Sequence, residues 1–177
     1  MKFLFAILLS MSFYGISAQN STFVSLNGIG DIKLGMKKSE VEKLTGQKIR
    51  IVNLLRGDDW LRDTVEVFYK SVAYELVFDK DYESDGLEFI VCEIQSRNRQ
   101  LKTKSGIGIG DDKMKIINTY KDYLIQVMPA YEGLDNPVRS KTKSIVWLYG
   151  DSTNAVIIFY LEKNKVTGFC VTFNEGC

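Results

Sequence analysis

The chain has 177 residues, of which 45% are hydrophobic, and its 23 basic residues nearly balance its 22 acidic residues. A nearly neutral chain lacks the basic surface that nucleic acids and anionic membranes attract, so neither is an expected partner. It contains no histidine, which removes the commonest general base, the usual nucleophile pairs and most zinc sites. We therefore expect a protein that is not an enzyme and has no cofactor.

Residues 1–18 are typical of a secretory signal peptide. Lys2 precedes an apolar run, and small residues surround Ala18. The run is shorter than the roughly 20 residues of a membrane-spanning helix. We expect cleavage after Ala18, a secreted or periplasmic location and no membrane insertion of the mature chain. Because Gln19 and not a cysteine would follow the cut, no lipid anchor is expected.

The first half of the mature chain, residues 19–101, predicts one short helix among strands. Val41 and Leu44 share a helical face within residues 37–44, and Gly46 supplies the stop. The pattern of the last predicted strand puts Val91 on one face and Ile94 on the other, as in a central, covered strand. The predicted strands are residues 23–26, 49–55, 64–69, 72–78 and 87–94.

The second half, residues 102–177, has the same order of elements. Asp111 is the predicted N-cap of a helix that reaches about Tyr123, with an apolar stripe on one face. That stripe consists of Met114, Ile117, Tyr120 and Leu124. Residues 129–143 predict a long loop or an irregular hairpin, and strands are predicted at residues 144–149, 155–161 and 166–173.

The two halves match at a shift of 75 residues. Gly35 then falls on Gly110, and Val41 falls on Ile116. We predict an α+β fold in which an antiparallel sheet carries short helices on one face. The fold would consist of two tandem units, each with a helix and three or four strands, packed as one domain.

Two stretches resemble known families. Residues 34–46, LGMKKSEVEKLTG, resemble the glycine-bounded helix of the small outer-membrane assembly lipoproteins of the SmpA/OmlA type. The two-unit plan resembles the beta-lactamase-inhibitor-protein-like fold, and residues 103–120 resemble a segment of uncharacterised secreted bacterial proteins. These resemblances imply binding of a protein or ligand in the envelope or outside the cell, which includes inhibition of a secreted enzyme.

Aromatic residues are the candidate contacts for such a partner. In the strand at residues 144–149, Trp147 and Tyr149 lie on one face with Ile145, opposite Val146 and Leu148. If helices cover only one face of the sheet, an outward Trp and Tyr would anchor an interface. The alternative is that they fill a core. Two loop residues, Trp60 and Tyr131, complete the candidate set.

An acidic loop supports the alternative hypothesis that the protein is an enzyme. Asp79, Asp81, Glu83 and Asp85 bring four carboxylates together before Gly86. Such oxygens suit calcium, although the glycine falls two places late for an EF-hand. A secreted enzyme that works through carboxylates, with or without calcium, is the second hypothesis. The glycines at residues 106–110 fit a structural turn better than a phosphate loop, because their spacing matches neither nucleotide-binding motif.

The three cysteines are Cys92, Cys170 and Cys177. In an exported protein, one bridge would leave one thiol, and the sequence cannot separate the three pairings. A bridge between Cys170 and Cys177 is the local choice, and three free thiols are the alternative.

Overall fold

The computed structural model describes residues 22–53, 63–81, 88–133, 137–150 and 154–174. Within these ranges the chain has two helices and eleven strands in two mainly antiparallel sheets, which confirms the predicted α+β class. The strands are β1 (Phe23–Ser25), β2 (Gly28–Ile29), β3 (Ile32–Lys33), β4 (Asp63–Tyr69), β5 (Val72–Lys80), β6 (Phe89–Ser96), β7 (Lys102–Thr103), β8 (Ile125–Glu132), β9 (Val138–Tyr149), β10 (Ala155–Glu162) and β11 (Lys165–Phe173). The helices are α1 (Lys38–Thr45) and α2 (Lys113–Thr119).

The large sheet has seven strands in the order β4-β5-β6-β11-β10-β9-β8, and all its neighbours are antiparallel. The last strand of each half, β6 and β11, pair at its centre. The small sheet has the order β3-β2-β1-β7, and β1 runs parallel to β7. Both halves of the chain therefore contribute strands to both sheets.

Helix α1 forms where the sequence predicts it. The backbone N–H of Lys37 donates to the carboxylate of Glu40 at 2.8 Å, so an acidic side chain satisfies a backbone donor at the helix start. Gly46 ends the helix in the left-handed conformation, with φ 73°, which glycine adopts without a steric penalty. Val41 is the fully buried residue of this helix.

Helix α2 differs from its prediction in its N-cap, its end and its buried face, and it ends at Thr119 and not near Tyr123. Its N-cap is Asp112, whose carboxylate accepts from the N–H of Met114 at 2.9 Å, and not Asp111. Asp111 instead accepts from Gly108 N–H at 2.7 Å. The buried side chains are Ile116 and Tyr120, so the predicted stripe is right for Tyr120 but leaves out Ile116. Two members of that stripe, Met114 and Leu124, are exposed. A helix of seven residues has too few turns for the period of its apolar residues to fix the buried face.

The chain makes the same backbone contacts before each helix. Gly35 N–H donates to Val91 O at 2.8 Å, and Gly110 N–H donates to Val166 O at the same distance. In return, Val91 N–H donates to Met36 O and Val166 N–H donates to Asp111 O, both at 2.9 Å. Both glycines have positive φ, 74° and 88°. Each helix is thereby anchored to the last strand of its own half.

Both helices pack on one face of the large sheet. Val41 and Ile116 belong to a single apolar core with the inward side chains of the large sheet and the residues of the small sheet. Val91 and Ile94 both point into this core, which corrects the prediction that they face opposite ways. The reason is an irregularity: β5 pairs Val77 with Glu93 and then Phe78 with Val91, so one residue of β6 is left over and the alternation shifts.

Two further predicted segments differ from the structure. Residues 49–53 are not a strand, although Ile49 and Ile51 are buried, and residues 54–62 lie outside the described residues. Asp63 holds this segment, because its carboxylate accepts from the N–H groups of Val52 and Asn53 at 3.0 and 2.9 Å. The described residues of 129–143 belong mainly to the irregularly paired strands β8 and β9, so of the two predicted alternatives the long loop is wrong.

Candidate binding surface

The face of the large sheet opposite the helices carries the predicted aromatic residues. On β9, Val146 and Leu148 point into the main core. Trp147 and Tyr149 point the other way with Ile145 and pack on a second, smaller apolar cluster. The predicted division of this strand into two faces is confirmed. The residues are half-buried, so they are neither fully outward nor fully in a core.

The second cluster has an enclosed floor and a half-buried rim. Its floor is Val156, Ile158 and Cys170, all buried. Its rim, which we call the aromatic patch, consists of Ile145, Trp147, Tyr149 and Tyr160. The rings of Trp147 and Tyr149 lie 6.0 Å apart between centroids, and the Tyr149 hydroxyl donates to Gln126 Oε1 at 2.9 Å. These contacts join the Trp147 ring to the Tyr149 ring and join Tyr149 to the neighbouring strand β8.

Tyr160 belongs to the patch although the sequence did not single it out. It lies opposite Gly168 on β11. A Cβ at Gly168 would lie 3.5 Å from the tyrosine ring and 3.2 Å from Arg97 Cγ, so the glycine leaves room for both side chains. Burial raises the pKa of the Tyr160 hydroxyl above its ordinary value. Strand β10 is apolar on both faces, and alternation therefore could not show which way Tyr160 points.

The same face becomes acidic towards β4. Glu66 and Glu75 lie directly opposite each other on β4 and β5, and Gln95 lies opposite Glu75 on β6. The two carboxylates line an open depression of about 530 Å³ with Phe68 and Arg97. Like charges directly opposite destabilise a sheet, so this pair has a cost. The secreted carboxylate enzyme stays a prediction.

The other predicted contacts lie elsewhere. Tyr131 is on β8, opposite Arg139, and is 64% exposed. It is not among the residues that pack in the second cluster. Trp60 lies outside the described residues. Of the four candidate residues, the structure thus brings Trp147 and Tyr149 together and separates Tyr131 from them.

The acidic loop is described only in part. Asp79 and Asp81 are described, whereas Glu83 and Asp85 lie outside the described residues. Among the residues that the structure describes, no three acidic or cysteine side chains are grouped so that they could hold a metal ion. Calcium binding by this loop stays a prediction.

The structure contradicts both cysteine arrangements that the sequence suggested, the Cys170–Cys177 bridge and the three free thiols. Cys92 is disulfide-bonded, so three free thiols is wrong. Cys170 is a free, fully buried thiol in the floor of the second cluster, so the local bridge to Cys177 is also wrong. Cys177 itself lies outside the described residues.

Iodoacetamide is expected to leave Cys170 unmodified in the native protein. Burial excludes the reagent and raises the pKa of the thiol, which keeps the reactive thiolate scarce. Unfolding without a reductant should expose Cys170, while Cys92 should require reduction as well. Peptide mass spectrometry measures both. Labelling of Cys92 without reductant would contradict the disulfide, and labelling of native Cys170 would contradict its burial.

Comparison with known proteins found no family model, no characterised protein and no solved structure that matches the chain. In the described part of the chain, no helix is both long enough and apolar enough to cross a membrane.

Proposed function

We propose that this is an exported, non-catalytic binding protein that contacts a partner protein or a small ligand through the aromatic patch. The observation that carries the proposal is the position of Trp147 and Tyr149 on the face of the sheet opposite both helices. Tryptophan and tyrosine supply large contact area at little cost in conformational entropy and are enriched among the residues that dominate interfaces. The signal-like residues 1–18 support export.

We further infer that the chain consists of two copies of one unit. The support is the set of backbone hydrogen bonds that Gly35 and Gly110 make to Val91 and Val166, all repeated 75 residues apart. The pairing of β6 with β11 fits this arrangement, because Gln95 pairs with Cys170 at the same separation. Two units joined through these central strands would give one continuous sheet, with its helices on one side and its aromatic patch on the other.

Site-specific photocrosslinking tests the proposed surface. A benzophenone side chain at position 149 is expected to form an adduct with a discrete partner when the full mature protein is mixed with envelope extract or medium from its own cells. The same group at position 23, where the exposed Phe23 lies on β1 of the small sheet and outside the patch, is the matched control and should give no such adduct.

Competition shows whether the adduct reports binding at the patch. An excess of unlabelled protein should suppress the adduct, whereas an excess of a Trp147→Ser, Tyr149→Ser variant should not. Circular dichroism should show that this variant keeps its strand content. An adduct of equal yield from position 23, or equal competition by the variant, would contradict the proposal.

A further inference from the structure

The two edges of the large sheet differ in what they leave exposed. An edge strand presents unpaired backbone N–H and C=O groups, which can accept another strand. Among the described residues, β4 forms one edge and β8 the other. The edge at β4 is partly closed by a side chain, whereas the edge at β8 is open in the described part of the chain. This difference indicates that a further strand can add at β8.

At the β4 edge, the side chain of Gln47 hydrogen-bonds to the backbone groups of Phe68. Phe68 N–H donates to Gln47 Oε1 at 3.4 Å, and Gln47 Nε2 donates to Phe68 O. The amide of Gln47 thus takes the place of a neighbouring strand at this residue. Gln47 follows Gly46, the residue that ends α1, so the end of the helix positions this closure.

At the β8 edge, the register shows which groups point outward. Tyr149 N–H donates to Leu124 O at 3.0 Å, so Leu124 is a residue whose backbone bonds to β9. In an antiparallel pair, only every second residue of a strand bonds to its partner strand, and the residues between turn their backbone groups the other way. Gln126 and Met128 therefore also pair with β9, because they lie two and four residues further along. Ile125, Val127 and Pro129 turn their backbone groups outward. Since proline has no N–H, the outward donors are those of Ile125 and Val127.

The side chains around this edge are apolar and basic. Leu124 is 66% exposed and Val127 is 44% exposed. Beside them the register is irregular, because Pro129 pairs with Ser144 and the next pair is Tyr131 with Arg139. Strand β9 has more residues than β8 between these two pairs, and the extra residues form a bulge. A depression of about 230 Å³ lies at the bulge, and its basic residues are Lys113, Arg139, Lys141 and Lys143.

Most of these cations have no anionic partner in the part of the chain that the structure describes. Lys143 Nζ lies 3.1 Å from Glu132 Oε1, and this contact is the main reason that the pKa of Glu132 is lowered. Within the described ranges, Lys113, Arg139 and Lys141 make no ion pair. Three cations that have no ion-pair partner among the described residues lie next to outward backbone groups, which makes the surface complementary to negative charge.

We propose that β8 binds an extended acidic peptide segment of a partner protein as an eighth strand of the large sheet. The backbone of the segment bonds to the outward groups of Ile125 and Val127, and its carboxylates enter the depression beside Pro129. Addition of a strand to a free edge is a common mode of peptide recognition. A second copy of this chain fits less well, because it would bring the same cations together. This site is separate from the aromatic patch and does not depend on it.

Two fluorescein-labelled hexapeptides test the charge. The probes are Glu-Val-Glu-Val-Glu-Val and Lys-Val-Lys-Val-Lys-Val, titrated with the full mature protein while fluorescence anisotropy is followed. The acidic probe is expected to bind at least about tenfold more tightly than the basic one, and its affinity should fall as salt rises. Charge reversal by Arg139→Glu with Lys141→Glu should remove this preference. Equal binding of both probes, or no binding of the acidic one, would overturn the proposal.

A matched pair of variants tests the backbone contact. Val127→Pro removes one outward N–H without removing a bond to β9, and proline is tolerated on edge strands. The affinity for the acidic probe should fall about tenfold in this variant. In Val127→Thr, which keeps the N–H, the affinity should stay within about threefold of that of the parent protein. Equal affinities for the two variants would overturn strand addition.

A change in the probe keeps the test independent of whether Val127→Pro folds. N-methylation of alternate residues removes the N–H groups along one side of the extended peptide. Of two probes methylated on opposite sides, one should lose binding and the other should keep it. Equal effects of the two methylations would count against a strand. If sedimentation shows a dimer that Val127→Pro dissociates and the acidic probe cannot displace, the occupant is a second copy and the peptide proposal fails.

Discussion

Replacing Phe159 with alanine is expected to lower the free energy of unfolding by about 3–5 kcal/mol, the usual cost of emptying a large aromatic site in a core. Phe159 is fully buried on β10. Its ring centroid lies 5.5 Å from that of Phe169 and 6.1 Å from that of Tyr120. Because Tyr120 follows the last residue of α2, the cavity would weaken the contact between helix and sheet. Urea denaturation followed by circular dichroism measures the change.

Phe68→Ala is the matched control for this substitution. Phe68 has the same side chain on another strand of the same sheet, but 62% of it is exposed. Its replacement should change the free energy of unfolding by no more than about 0.5 kcal/mol, as for most surface positions. Similar losses in the two variants would show that Phe159 does not fill a core in solution.

The second large effect is expected at Gly28, where alanine should cost about 3 kcal/mol through backbone strain and steric overlap together. Gly28 has φ 141°, which side chains rarely allow. An added Cβ would lie 2.2 Å from the carbonyl oxygen of Ile32 and 2.8 Å from Lys33 Cα. Both are backbone atoms of the paired strand β3, so the overlap cannot be relieved by rotating a side chain.

Gly35→Ala separates the two causes. Gly35 also has positive φ, 74°, but an added Cβ would meet nothing within 4 Å. This variant should cost about 1 kcal/mol, the strain of a left-handed residue alone. Urea midpoints of the two variants and the parent protein measure the difference. A smaller loss at Gly28 than at Gly35 would refute the close packing of β2 against β3.

The sequence was informative where a local pattern and the long-range packing agree. For α1 the sequence predicted a helix within residues 37–44, a stop at Gly46 and an apolar face with Val41. The structure has the helix at Lys38–Thr45, ends it at Gly46 and buries Val41. In α2, the local stripe suggested Met114, whereas Ile116 is the residue that meets the core. The match of the two halves at a shift of 75 residues had already aligned Ile116 with Val41. Correspondence between the halves was therefore a better guide to the buried face than periodicity over two turns.

The features that depend on pairing between strands could not be foreseen. The shift in β6 that turns both Val91 and Ile94 into the core is set by its register with β5, which no local pattern encodes. The aromatic patch was half visible. Alternate positions of β9 put Ile145, Trp147 and Tyr149 on one face, but the opposite face is apolar too, so the sequence left open whether the aromatic face lies outward or in a core. Tyr160 was missed because its strand is apolar on both sides. The open edge at β8 required knowledge of the strand order itself.

The closure of β4 by Gln47 sets a limit on assembly. A protein with two open sheet edges can associate edge to edge without end, and fibres are the result. Here growth from the β4 side meets an amide that already holds the backbone of Phe68. Any assembly built through β8 should therefore terminate after a single addition, which protects the protein from polymerising at high local concentration.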